Sequence, residues 1–141
     1  MQRTLLNENI KLNHISNIEV LENAIGKEEG MIKLYKSKDL VNYSTVQKSK
    51  EYEVVKSITL DRLLSNFKHV ELLKIDVEGA EMDVVKSGLN EITKVHFIII
   101  EVRNSYFGDM IKILNSIGFK YHILEDRIIG EKNVLFINTC I

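Results

Sequence analysis

Two spacings of apolar residues divide this chain into elements. Leu5, Leu6 and Ile10 recur at helical spacing and predict a helix over 3–12. Residues 18–24 predict a strand, and the alternation over 31–35 predicts a hairpin partner or an edge strand. The stretch 36–50 is polar and has no period, so it reads as a long loop. A short strand is predicted over 54–58. Leu60, Leu63, Leu64 and Phe67 then follow a helical period, with Thr59 at the N-cap position. The run 70–77 is apolar on both faces apart from Lys74 and Asp76, which predicts a central parallel strand covered on both sides. A helix opens from Gly79 and stops at Gly88, read as a C′ glycine. Residues 95–102 predict a second buried strand. Phe107, Met110, Ile111, Leu114 and Ile117 form an amphipathic stripe that ends at Gly118. Strands over 119–124 and 134–138, joined by a turn over 127–132, close the chain. Alternating strands and helices imply an α/β fold. The expected sheet is mostly parallel and doubly wound, with one antiparallel strand at its C-terminal end.

Composition narrows the functional classes. The chain has 141 residues, the size of one domain, so 1–141 reads as a single unit. Hydrophobic residues make up 45% of it, enough to bury a core. The net charge of −1 gives no basic excess that would call for a nucleic-acid partner. No apolar run is longer than that of residues 97–100, far too short to span a membrane, and the first ten residues lack the apolar core of a signal peptide. Cys140, the one cysteine, has no internal disulfide partner and no metal-ligand spacing around it. These features fit a reducing cytoplasm, with neither a nucleic-acid nor a membrane partner expected.

The candidate chemistry gathers where predicted strands end in acids. Asp76 sits at the carboxyl end of a predicted central strand, where ligands bind in open α/β sheets. It suits a group that positions a substrate, takes a proton or ligates a metal. It also suits a strand-end acid satisfied by backbone N–H groups, but the binding position in such sheets favours the functional reading. Glu78 precedes Gly79 at a helix start and reads either as a partner of Asp76 or as an acid favoured by the helix N-terminus. Two acids two residues apart are too few to specify a metal, and none is expected. Glu81 and Asp83 fall in the first helical turns, where the dipole explains them better. Lys74, read as buried, needs a charged partner, and Asp61 or Glu101 are the expected ones. Glu101 ends the next strand and points to the same rim. Arg103 and Tyr106 follow in a loop and suit either substrate contact or solvent. His14, His69, His96 and His122 have no mutual spacing that suggests a metal site.

The run Leu72-Leu73-Lys74-Ile75-Asp76-Val77-Glu78-Gly79-Ala80-Glu81 carries the sharpest signal. Thr59-Leu60-Asp61 precedes it and Glu101-Val102-Arg103 follows it. With Leu6, Asn9-Ile10-Lys11-Leu12-Asn13 and Asn23-Ala24-Ile25-Gly26 upstream, the chain resembles the FkbM family of methyltransferases over nearly its whole length. The resemblance implies a Rossmann-like class I methyltransferase sheet of seven strands. It implies S-adenosylmethionine as methyl donor and O-methylation of a hydroxyl on a sugar, glycan or natural product. Asp76, Glu78 and Glu101 would form the acceptor side, and Asn23 and Ala24 would lie beside the adenine. Family members open with a Gly-rich turn and a second strand ending in a ribose-binding acid. No such turn occurs here before residue 26, so the expectation is a domain truncated at its N-terminus. The alternative is a non-catalytic fragment or remnant acting as a binding module, stabilised by self-association or by a complementary N-terminal chain.

Overall fold

The structure, a computed structural model, describes residues 2–36, 43–44, 52–77, 79–126 and 130–141. Helix α1 (Gln2–Leu12) comes first. Four strands then form one sheet: β1 (Ala24–Ile25), β2 (Gly30–Lys36), β3 (Tyr43–Ser44) and β4 (Tyr52–Ile58), in the order β1-β4-β2-β3. Helix α2 (Leu60–Leu64) leads to the second sheet. Its strands are β5 (Val70–Ile75), β6 (Val95–Arg103), β7 (Phe119–Asp126) and β8 (Glu131–Asn138), in the order β5-β6-β8-β7. Helix α3 (Glu81–Lys86) and a 3-10 turn (Ile92–Lys94) join β5 to β6, and helix α4 (Phe107–Ser116) joins β6 to β7.

Both described sheets are mixed: in the second, β5, β6 and β7 run one way and β8 alone runs against them, as expected of one antiparallel strand at the C-terminal end, while the first departs from the mostly parallel arrangement. Among the described residues, β1/β4 and β5/β6 are parallel and the other four pairings are antiparallel. The strand expected over 18–24 shrinks to Ala24–Ile25, because only these residues meet a neighbour, at Ser57 and Ile58. A strand-like sequence makes no strand where no ladder satisfies its backbone. The run 70–77 forms β5 over Val70–Ile75, but β5 is an edge strand of the described sheet rather than a central one. Leu72 is 52% exposed and Lys74 is exposed with it. Most of the expected 36–50 loop lies outside the described residues, as do residues 127–129 of the expected final turn.

The core follows from strand alternation. Ile98, Ile100 and Val102 on β6, Val134 and Phe136 on β8, and Ile75 on β5 point to one face of the second sheet. Helices cover that face with Val84 and Val85 of α3, Met110 and Leu114 of α4, and Leu60 and Leu64 of α2. Each such side chain contributes on the order of 1.5–3 kcal/mol by leaving water. Phe97, Ile99, Leu135 and Ile137 alternate to the opposite face and are only half-buried.

Three contacts seat α2 so that β5 starts in the right place. Thr59 Oγ1 accepts the Arg62 N–H at 3.1 Å, the N-cap the sequence implied. The Asp61 carboxylate accepts from the Asn90 N–H (3.1 Å), the Asn90 amide (2.6 Å) and the Glu91 N–H (2.9 Å). Gly88 is not a left-handed stop. Its missing Cβ leaves room for Leu60, whose Cδ2 would lie 2.6 Å from a Cβ there. Gly118, with φ +99°, does end α4 as expected.

Candidate functional site at the carboxyl ends of β5 and β6

Asp76 leaves the carboxyl end of β5, with its side chain 42% exposed. Lys74 lies two residues back on the same side of the strand, and its Nζ donates to Asp76 Oδ2 at 2.8 Å. Both expectations for Lys74 therefore need correction. It is exposed rather than buried, because β5 is an edge strand. Its partner is Asp76, since Asp61 is committed to residues 90 and 91. The Asp76 hydrogen bond and charge hold the Lys74 amine above its ordinary range; slight desolvation opposes this, and the Glu101 charge adds to it.

Glu101 belongs to the same rim. Ile75 pairs with Ile100 in the parallel ladder, so Glu101 stands one step beyond, beside Asp76 on the neighbouring strand. Glu101 is half-buried and lies opposite Asn133 of β8. Glu78, the third expected acid, lies outside the described residues. Asn23 and Ala24 are half-buried at the start of β1, on the other sheet. Neither Asn23 nor Ala24 lies on the sheet that carries Asp76 and Glu101.

The turn between β5 and α3 holds a residue whose importance the sequence reading missed. Gly79 has φ +102°, a conformation that L side chains rarely adopt. Its N–H donates to Glu81 Oε1 at 2.6 Å. Glu81 is 3% exposed, and its Oε2 is buried with no hydrogen-bond partner among the described residues. On the outer side of the turn lies Arg103. Its guanidinium atoms would stand 2.6–2.9 Å from a Cβ on Gly79. Arg103 Nε is also 3.7 Å from Glu131 Oε1 on β8. One signal for Glu81 was present: residues 81, 84 and 85 share helical spacing, and Glu81, Val84 and Val85 are all buried.

The remaining chemistry lies elsewhere. His69 Nε2 and His96 Nδ1 sit 3.1 and 3.3 Å from the two Glu71 oxygens, at the amino ends of β5 and β6. The His69 hydrogen bond, with a weaker contribution from His96, holds the exposed Glu71 carboxyl below its usual range. No group of three His, Cys, Asp or Glu side chains among the described residues could hold a metal. An open cavity of about 430 Å³ lies between α4 and β7, near Phe119, Tyr121 and Thr139, and none of the rim acids lines it. Among the described residues, no helix is long and apolar enough to cross a membrane.

Comparison with known proteins adds one match. Residues 3–121 match the family described as Methyltransferase FkbM domain. No curated protein and no solved structure matches the chain.

Proposed function

Because this chain belongs to the FkbM methyltransferase family, and so to a family of methyl transfer, we propose that it methylates a hydroxyl on a sugar or natural product, with S-adenosylmethionine as donor. One observation carries the acceptor side. Asp76 stands partly exposed at the carboxyl end of β5, beside Glu101 at the end of β6. Open α/β sheets bind their ligands at such strand ends. In this reading Asp76 accepts a hydrogen bond from the acceptor hydroxyl and takes its proton as the oxygen–methyl bond forms. Glu101 orients the acceptor, and Glu78 joins them in the role the resemblance implies. Lys74, whose Nζ donates to Asp76 Oδ2 at 2.8 Å, holds that carboxylate aimed along the rim. Asn23 and Ala24 would hold the adenine. When bound, the donor supplies a sulfonium-activated methyl group. The Rossmann-like arrangement belongs to the same proposal. The parallel β5/β6 pair, followed by β8 antiparallel to β6 and by β7 running in the same direction as β5 and β6, supports it.

Transfer of a labelled methyl group to a panel of hydroxyl acceptors tests the proposal. Asp76→Asn is expected to lower the rate by about 10²–10⁴-fold, the usual weight of a general base. Equal rates in the two proteins would remove Asp76 from the chemistry. A second reading, a non-catalytic binding module, draws on the 52% exposure of Leu72 on edge strand β5. An unpaired apolar edge invites a further strand. Concentration-dependent sedimentation without binding of S-adenosylhomocysteine would favour that reading.

A further inference from the structure

We propose that Glu81 is a positioning residue for the Asp76 rim, acting through Gly79 rather than touching the acceptor. This rests on the reading of that rim as the acceptor site. The turn between Asp76 and α3 is gripped from two sides. Inside, the Glu81 carboxylate takes the Gly79 N–H at 2.6 Å. Outside, the Arg103 guanidinium lies over the space a Cβ would fill, and Arg103 reaches on to Glu131 of β8. The turn is thereby tied to α3, β6 and β8 at once. Gly79 holds this position in the left-handed conformation open to glycine.

The energetics separate this role from simple stabilisation. A carboxylate 3% exposed, with one of its oxygens unpartnered among the described residues, is an expensive group to bury. Burying a charge with an incomplete set of partners often costs more than an apolar side chain of the same size would. Glu81 therefore lowers global stability, or leaves it unchanged, while ordering one turn. A residue that served only the core would show the opposite balance. Leu at this position would extend the buried Val84 and Val85 stripe of α3 and release the Gly79 N–H.

Amide hydrogen exchange on Glu81→Leu and Glu81→Gln, with urea unfolding of each, tests this in the unliganded chain. For Glu81→Leu the urea midpoint is expected to stay level or rise, while exchange at Gly79 accelerates roughly 10- to 100-fold, the weight of a charge-assisted hydrogen bond. Glu81→Gln keeps an acceptor oxygen, so it is expected to restore part of that protection. The amide signals of Asp76 should shift in Glu81→Leu while those of β6 and β8 away from Arg103 and Glu131 do not. A fall in midpoint with all amides accelerating in step would overturn the proposal and make Glu81 a structural residue. So would unchanged exchange at Gly79. S-adenosylhomocysteine titration of the same proteins checks the underlying reading separately. Failure of the wild type to bind would remove the donor assignment, and the exchange data would still decide the Glu81 clamp.

Discussion

Among the described residues the two sheets have the same number of strands and very different interiors. In the second sheet, β5, β6, β7 and β8 all contribute to the buried apolar core, and three helices lie against it. Among the described residues, the strands of the first sheet supply no fully buried apolar side chain; the fully buried residue among them is Ser57. Met31, Tyr52 and Val54 of the first sheet stand about half or more exposed. Stability is therefore concentrated in the second sheet, and the acidic rim is built on its edge. A site placed on the rigid element keeps its geometry even where the attached sheet fluctuates.

Mutations that separate the sheets test that contrast. The largest effect is expected from Ile100→Ala in β6, a fully buried position, at about 2–5 kcal/mol by urea unfolding. Val54→Ala in β4, 53% exposed, is expected to stay within about 0.5 kcal/mol. Comparable losses at the two positions would break the comparison. Gly79→Ala comes next. An L residue at φ +102° costs roughly 1–2 kcal/mol, and the new Cβ must push Arg103 aside. Its effect on methyl transfer should exceed its effect on unfolding, because the turn follows Asp76 directly. Thr59→Ala removes the N-cap of α2 and is expected to cost about 1 kcal/mol.

The smallest effects are electrostatic, since the groups concerned are exposed. The Lys74 pKa is raised by Asp76, so the pair's contribution is present below the ordinary value of 10.5 and fades as pH rises through the raised one. The Glu71 pKa is lowered by His69 and His96. Its contribution is present above the ordinary value of 4.5 and fades as pH falls through the lowered one. Unfolding midpoints of Glu71→Gln and wild type should therefore converge at the acid end. Those of Lys74→Met and wild type should converge at the alkaline end. Divergence at those ends would reverse the assigned signs.

What was legible in the sequence was local. The Thr59 cap, the Phe107–Ser116 stripe, the Gly118 stop and β6 each depend on a few adjacent residues, and each formed where the pattern placed it. The decapeptide ending at Glu81 pointed to the family that the match over 3–121 shows. What failed depended on partners distant in sequence. Residues 18–24 read as a strand, yet only Ala24 and Ile25 find a neighbouring strand. The apolar run 70–77 resembles a central strand, but its place in the described sheet is the edge, which exposes Lys74 and gives it to Asp76. Gly88 looked like helix punctuation, and its reason is Leu60 on another helix. Glu81 was assigned to the helix dipole because acids in a first turn usually serve it. Its spacing with Val84 and Val85 was the signal that set it apart.

Amide chemical-shift mapping of the isotope-labelled chain during titration with S-adenosylhomocysteine tests the central claim most directly. The account predicts saturable shifts at Asn23 and Ala24 and along the rim from Asp76 to Gly79, with the cavity beside Phe119 and Thr139 unmoved. Absence of saturable shifts at the rim, or shifts confined to that cavity, would contradict it.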